Sequence, residues 1–425
     1  MAAHGEKVWT YAALCGEVAA RAERLRGNKS LVFCFCENDA ETVFNYLAAV
    51  EAGHAVALVN AGLHVDLQQG LIERYQPDWI LRGAEWIRKE QPSREIHPSL
   101  ALLLATSGTT GSPKFVRLTR AAVEANAESI REALGIAAAD RPITSLPLYY
   151  SYGLSVLNSH LAAGASLVLT GESVISPRFW EVFRGQACTS FAGVPYTYQM
   201  MTRLDVDKLA VPSLRTMTQA GGKLVPELIA SFHEKMARRG GRFFVMYGQT
   251  EATARIAILP ADELPRKLGS AGLGIPGGRI SIDEGEVVYH GPNVMMGYAE
   301  SPADLALGDE LQGTLRTGDL GRLDDEGFLY IDGRAKRDVK LVGLRINLDE
   351  VEAMLRPHGA TAVVSAGDKL AIYCEYGDAE QFGRLRNELA TKLGLAVRLF
   401  EFHRVEKIPT TPTGKIDYAR LKGAA

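Results

Sequence analysis

Residues 104–114 read LATSGTTGSPK. Thr106, Ser107, Thr109 and Thr110 bring hydroxyls, Gly108 and Gly111 allow close backbone approach, and Lys114 adds a cation. Amides, hydroxyls and one ammonium on a flexible stretch make a cradle for phosphate oxygens. A surface turn rich in Ser, Thr and Gly has the same composition, so this stretch alone leaves both readings open. Other glycine patterns carry less. GLGIPG, from Gly272 to Gly277, has GxGxxG spacing, but Pro276 lies inside it and a strand-like pattern follows where a dinucleotide site needs a helix. Gly222-Lys223 and Gly414-Lys415 precede Leu224 and Ile416 instead of Ser or Thr, so neither is a Walker A loop. The 9 histidines and 5 cysteines show no HExxH or CxxC spacing, which predicts no structural metal centre.

Strands and helices must hold that loop. Leu100-Ala101-Leu102-Leu103-Leu104 is a short apolar run that reads as a buried strand leading directly into it. Upstream, the strand-like SLVFCFC precedes the helical DAETVFNYLAAVEAG, and HAVALVN precedes HVDLQQGLIERYQ. DWILRG is a further strand candidate, and downstream GASLVLTG, TSFAGVP, LRTMTQAGG and RFFVMYG continue the series. Such alternation predicts an α/β fold with parallel or mixed sheets flanked by helices. Asp39 suits an N-cap and Gly53 a C-cap. From about residue 256 to 335 the pattern turns to polar–apolar alternation broken by Gly and Asp, which predicts a small β-rich subdomain. After GRAKRD, NLDEVEAMLRP, TAVVSAGDKLAIYCEYG and AEQFGRLRNELATKLG read as helix, hairpin and helix. The sequence thus divides into an N-terminal domain, residues 1–335, and a small α+β C-terminal domain, residues 336–425.

The chain has 425 residues, enough for two or three domains. With 47% hydrophobic and 23% charged residues and a formal net charge of −3, nothing argues electrostatically for nucleic acid or an anionic membrane. No apolar stretch approaches the roughly 18–20 residues needed to span a bilayer. MAAHGEKVWTYAAL lacks a basic segment followed by an apolar one, and the scattered cysteines suit a reducing compartment, so the expected location is the cytoplasm.

LATSGTTGSPK resembles the phosphate loop of the adenylate-forming superfamily, which includes acyl-CoA synthetases, luciferases and the adenylation domains of peptide synthetases. Further motifs follow in that family's order: MYGQTEAT (Met246–Thr253), LRTGDL (Leu315–Leu320), GRAKRDVKLVGLRINLDEVE (Gly333–Glu352) and IPTTPTGKIDYARL (Ile408–Leu421). The resemblance covers nearly the whole chain. It implies activation of a carboxylic acid by ATP to an acyl-adenylate with release of pyrophosphate, then transfer to a pantetheine thiol. Thr106, Ser107, Gly108, Thr109, Thr110, Gly111 and Lys114 are implied to hold the β- and γ-phosphates. Glu251 is implied to anchor Mg²⁺, Thr250 to donate to the α-phosphate, and Tyr247, beside Gly248, to stack on adenine opposite the Gly221-Gly222 backbone. Asp319 is implied to accept the ribose hydroxyls with Arg334 nearby, Lys336 to be a hinge, Gly343 to line the thiol channel, and Lys415 to be the catalytic lysine of a mobile lid. The implied acyl pocket contains Tyr150, Tyr152, Gly153, Val194, Tyr198 and Gln219.

This sequence departs from the family in places. The loop comes early in the chain, Tyr150 stands where relatives often carry His, and Lys336 where many carry Asp. The leading function is an acyl- or aryl-CoA ligase. The alternative is a stand-alone enzyme that loads an acyl carrier protein, and a third reading is a non-catalytic nucleotide-binding protein. Arg337, Lys340 and Arg345 are candidates for the 3′-phosphate of CoA, although solvated surface charge explains them as well. YYSYG, FAGVPYTY and QAGG carry no acid to hold a substrate ammonium, and being neutral and tyrosine-rich they predict a small acid with an uncharged acyl or aryl tail.

Overall fold

The computed structural model describes residues 7–89, 94–105, 114–204, 209–334, 337–341, 344–367, 369–393, 395–411 and 414–423. After the helix Tyr11–Leu25, the first six strands are β1 (Leu31–Cys36), β2 (Ala55–Asn60), β3 (Trp79–Arg82), β4 (Glu85–Arg88), β5 (Leu100–Ala105) and β6 (Phe115–Thr119). They form a sheet in the order β6-β5-β2-β1-β3-β4, and Gly297–Ala299 joins its edge beside β6. Pairing among β5, β2, β1 and β3 is parallel; a helix lies between β1 and β2 and another between β2 and β3, as the alternation predicts, whereas β5 is reached from β3 through β4. Asp39 caps the helix Ala40–Glu51 by accepting from the Thr42 amide. Cys34 and Cys36 are buried, as two residues sharing one face of a central strand must be.

A second sheet follows, with β7 (Ser190–Gly193), β8 (Thr216–Gln219), β9 (Arg242–Tyr247), β10 (Ala257–Leu259) and β11 (Leu273–Gly274) in the order β11-β10-β9-β8-β7. β7, β8 and β9 are parallel, so their C-terminal ends open on one edge. Helices Arg120–Leu134 and Ser151–Ala162 lie between the two sheets in sequence and pack on each other. GASLVLTG is not a regular strand. Its Val168 makes a single bridge to Ile143, since the partner segment is bounded by Pro142 and Pro147, which lack an amide hydrogen.

The third sheet is antiparallel and comprises β12 (Arg279–Asp283), β13 (Glu286–His290), β15 (Thr314–Leu323) and β16 (Leu329–Arg334), while β14 is the Gly297–Ala299 segment already placed in the first sheet. Beyond it, the hairpin β17 (Asp338–Leu341) and β18 (Leu344–Asn347) precedes the helix Leu348–Leu355. β19 (Thr361–Ala366), β20 (Lys369–Cys374) and β21 (Phe400–Arg404) make a last sheet covered by the helix Ala379–Leu393. Leu341, Val351, Ile372 and Phe400 belong to a core of their own, distinct from the cores around the first two sheets.

Candidate active site

β9 ends in Tyr247, and the chain then makes a tight reversal through Thr250–Ala252 into antiparallel β10. A Cβ on Gly248 would lie 2.0 Å from the Ala254 carbonyl oxygen, so only glycine permits this turn. Thr253 sits at φ +62°, an unfavourable region for a β-branched residue. Its hydroxyl donates to the Asn293 carbonyl at 2.7 Å, and the Asn293 amide donates back to the carbonyls of Ala252 and Arg255. The reversal is therefore braced from outside. It presents the Thr250 hydroxyl, 3.2 Å from Ser151 Oγ, and the Glu251 carboxylate, which accepts from the Tyr298 hydroxyl at 2.8 Å. Lys114 Nζ lies 3.5 Å from the centroid of that same Tyr298 ring.

Asp319 comes from β15 directly opposite Arg334 of β16. Arg334 Nε donates to one carboxylate oxygen at 2.9 Å and the Tyr247 hydroxyl to the other at 2.5 Å. Asp319 is only 3% exposed, and burial pushes its pKa up against the opposing pull of Arg334 and Tyr247. A carboxylate has about four acceptor sites, so two remain for a ligand's hydroxyls.

Lys415 arrives from the far end of the chain on a tight turn. Thr411 N–H donates to the Lys415 carbonyl at 2.7 Å, and Thr410 bridges Ile416. Gly414 has φ +78°, and a Cβ there would meet Val194 Cγ2 at 3.2 Å and Tyr196 Cβ at 3.4 Å, so the turn is seated on the segment after β7. Lys415 Nζ lies 5.8 Å from the Tyr150 ring centroid. Its pKa is lowered by burial and by Arg334, while Glu251 and Asp319 pull the other way. Lys415, Arg334, Glu251 and Asp319 thus share one electrostatic neighbourhood although about 164 positions separate Glu251 from Lys415.

The residues expected around the acyl group divide. Tyr150 is partly buried with its hydroxyl against Gly221, where a Cβ would come within 2.6 Å, and Gly221 has φ +83°. A Cβ on Gly222 would meet Pro195 at 3.1 Å. Val194 lies between Gly221 and Gly414. Tyr198 is a core residue instead: its ring is fully buried and its hydroxyl donates to the Thr218 carbonyl at 2.7 Å. Gln219 is also core, its amide pinning the Gly222 carbonyl at 2.8 Å. Gly153 serves helix packing, since a Cβ would lie 2.2 Å from the Pro147 carbonyl oxygen. Tyr152 is buried, bonds to Thr218 and borders an interior cavity lined also by Ser155, Ala192, Met246 and Arg255.

That cavity is not neutral. Arg255, four residues after Glu251, is 2% exposed, and its Cζ lies 4.1 Å from the Tyr152 ring centroid. The neutral segments around it concealed this charge, whose one sequence signal is a cation opening the apolar run RIAIL. Tyr298 and Asn293 had no signal, because neither lies near the motif it supports. Arg337 pairs with Glu352 and Asp349 and lies over the Tyr418 ring, so its charge is already matched within the chain. Thr106, Ser107, Gly108, Thr109, Thr110, Gly111, Lys336 and Gly343 lie outside the described residues, as do the side chains of Lys340 and Arg345.

Residues 66–299 match the family described as AMP-binding enzyme. The chain is 34% identical over 370 residues to a 2-succinylbenzoate–CoA ligase of Bacillus subtilis, covering 78% of this chain and 74% of that protein. It is 32% identical over 350 residues to a sulfoacetate–CoA ligase of Cupriavidus necator, covering 76% of this chain and 66% of the relative. An oxalate–CoA ligase of Arabidopsis thaliana is 31% identical over 274 residues, 61% of this chain. The chain spans 66% and 52% of the length of the sulfoacetate and oxalate relatives. Among solved structures, O-succinylbenzoate coenzyme A synthetase from Bacillus subtilis in complex with ATP and magnesium ion aligns with a TM-score of 0.78 at 26% identity, covering 98% of this chain and 95% of that one.

Proposed function

The chain belongs to the AMP-binding enzymes, and from that premise we propose that it is an ATP-dependent acid–thiol ligase that makes an acyl-adenylate and passes the acyl group to CoA. The observation that carries this is the meeting of Lys415, Glu251, Asp319 and Arg334 in one neighbourhood. A carboxylate oxygen of the acid attacks the α-phosphorus, the α–β phosphoanhydride bond breaks, and pyrophosphate leaves. Both reactants are anionic, so the site must concentrate positive charge. Lys415 faces the developing charge between carboxylate and α-phosphate, while Lys114 and the loop Thr106–Gly111 take the departing phosphates. Asp319 accepts the ribose hydroxyls, Tyr247 stacks on adenine, and Thr250 donates to the α-phosphate.

Mg²⁺ fits Glu251, because one carboxylate beside phosphate oxygens is the hard-oxygen environment that ion takes. Bound there, it neutralises phosphate charge. In the second step a pantetheine thiol attacks the acyl carbon and AMP leaves. The residues 336–425 act as a lid hinged at Lys336, with Gly343 on the thiol path. CoA is favoured over a carrier protein because the relatives named above are CoA ligases. Among the described residues no helix is long and apolar enough to cross a membrane. The free, mostly buried thiols suit the reducing cytoplasm. A pyrophosphate-release screen over carboxylic acids, followed by chromatography for an acyl-CoA once CoA is added, tests the reading. No acid-dependent pyrophosphate from any class of acid would refute it.

A further inference from the structure

We infer, resting on the ligase reading, that the acid this chain activates carries a second anionic group, and that Arg255 holds it. A guanidinium presents five N–H donors. In Arg255, Nε donates to the Met246 sulfur, one terminal nitrogen to the Ala254 carbonyl and the other to Ser155 Oγ, each at 3.3 Å. These partners are all uncharged. No carboxylate among the described residues pairs with Arg255, and burial lowers its pKa with only the tyrosines Tyr152 and Tyr150 opposing. One N–H on each terminal nitrogen remains to donate to the oxygens of a carboxylate or sulfonate.

The same molecule shows what a purely structural buried arginine looks like. Arg117 is 0% exposed, and its guanidinium bonds the carbonyls of Tyr298, Leu307 and Gly308 and the carboxylate of Glu310. Arg117 is neutralised within the fold and Arg255 is not. A buried cation left without an anion is costly, and in a cavity beside a reaction centre the missing anion is supplied by what enters.

Position agrees with charge. The Tyr150 and Tyr152 rings are 6.2 Å apart; Lys415 Nζ stands near the first and Arg255 over the second. The reacting carboxylate at Lys415 and the tail anion at Arg255 therefore flank one tyrosine pair. Asp140, which also borders the cavity, accepts from the Ala137 amide and pulls on His160, and among the described residues it forms no ion pair with Arg255. The tail anion thus meets a cation whose charge the fold has left open. The tyrosine-rich segments predicted an uncharged tail; the tertiary structure adds the charge they lack.

The test uses pyrophosphate release by the full chain with matched acids of equal length, ending in a carboxylate, a sulfonate, a methyl ester or a methyl group. The expected result is a kcat/KM at least about 100-fold higher for an anionic tail than for its neutral partner, the scale on which a polar site rejects an analogue that leaves it unpaired. Arg255→Met should bring that ratio to about 1 or below, and Arg255→Lys should leave it in between. A ratio between two acids on one enzyme preparation does not depend on how much of the variant is folded. Neutral tails outrunning anionic ones, or an unchanged ratio in Arg255→Met, would overturn the inference and leave the ligase reading standing. Absence of pyrophosphate release with every acid would instead remove the ligase reading itself.

Discussion

Lys415 and Glu251 contribute opposite charges to the same site, and each has a distinct expected defect. Burial and Arg334 make the Lys415 ammonium costly while no anion is near, which in the proposed ligase is what a lysine awaiting phosphate and carboxylate requires. Replacing it with Ala should cut acyl-adenylate formation by at least about 100-fold, the scale of losing a preorganised charge donor. Thioester formation from supplied acyl-adenylate should fall much less. Single-turnover measurement of both steps decides it, and equal losses would show that Lys415 does not act in the first step alone. Glu251→Gln keeps an acceptor for the Tyr298 hydroxyl but removes the charge. The concentration of Mg²⁺ needed for half-maximal adenylation should rise about tenfold or more with the melting temperature nearly unchanged. A wild-type Mg²⁺ titration in that variant would remove Glu251 from the metal's environment.

The helix Ser151–Ala162 starts beside Thr250 and carries a buried pH-sensitive residue in its last turn. His160 is buried, its Nδ1 lies 2.8 Å from the Val156 carbonyl, and burial lowers its pKa to about 4. An unfolded histidine titrates near 6.5, so between those values the unfolded chain takes up a proton that the folded one refuses. Stability contributed by the neutral form is therefore complete above about pH 6.5 and declines as pH falls toward 4. The loss amounts to about 3 kcal/mol at ~1.4 kcal/mol per pH unit. His54 is also buried with a lowered pKa and adds to the same trend, so the informative quantity is a difference. Urea unfolding at pH 7 and pH 4.5 should show wild type losing about 2 kcal/mol more than His160→Gln, most of the full effect. Parallel losses in the two proteins would mean that His160 protonates freely in the fold.

One contact of the C-terminal segment with the candidate site is the turn at Gly414, seated on Val194 and Tyr196. Its φ of +78° and its contact with Val194 leave no comfortable place for a Cβ. Gly414→Ala should therefore disfavour the seated arrangement by about 1–2 kcal/mol and slow adenylation roughly tenfold. If the segment swings away for thiol attack, the second step measured from supplied acyl-adenylate should be spared. Slowing of both steps alike would argue that the turn stays seated throughout catalysis.

Local sequence determined a great deal of this protein. Strand–helix alternation foretold the parallel pairing of β1 with β2 and β3, because side-chain period and caps are local properties. The motifs likewise singled out Tyr247, Glu251, Asp319, Arg334 and Lys415 as candidates, since each lies in a short stretch whose residue types suit one task, and the fold brings these five near one another. Only the tertiary structure decided which side chains complete them. Tyr298 reaches Glu251 across 47 positions, and Asn293 braces the Thr253 turn across 40. Tyrosine in a neutral segment gives the same sequence signal whether it lines a pocket or fills a core, so Tyr150 and Tyr198 were indistinguishable until burial separated them. GASLVLTG has the residues of a strand but lacks a neighbour able to pair along its length. A charged residue's sequence shows that it is charged, whereas the lack of a carboxylate partner for Arg255 among the described residues is a property of everything folded around it. Identity was local, and partnership was made by the fold.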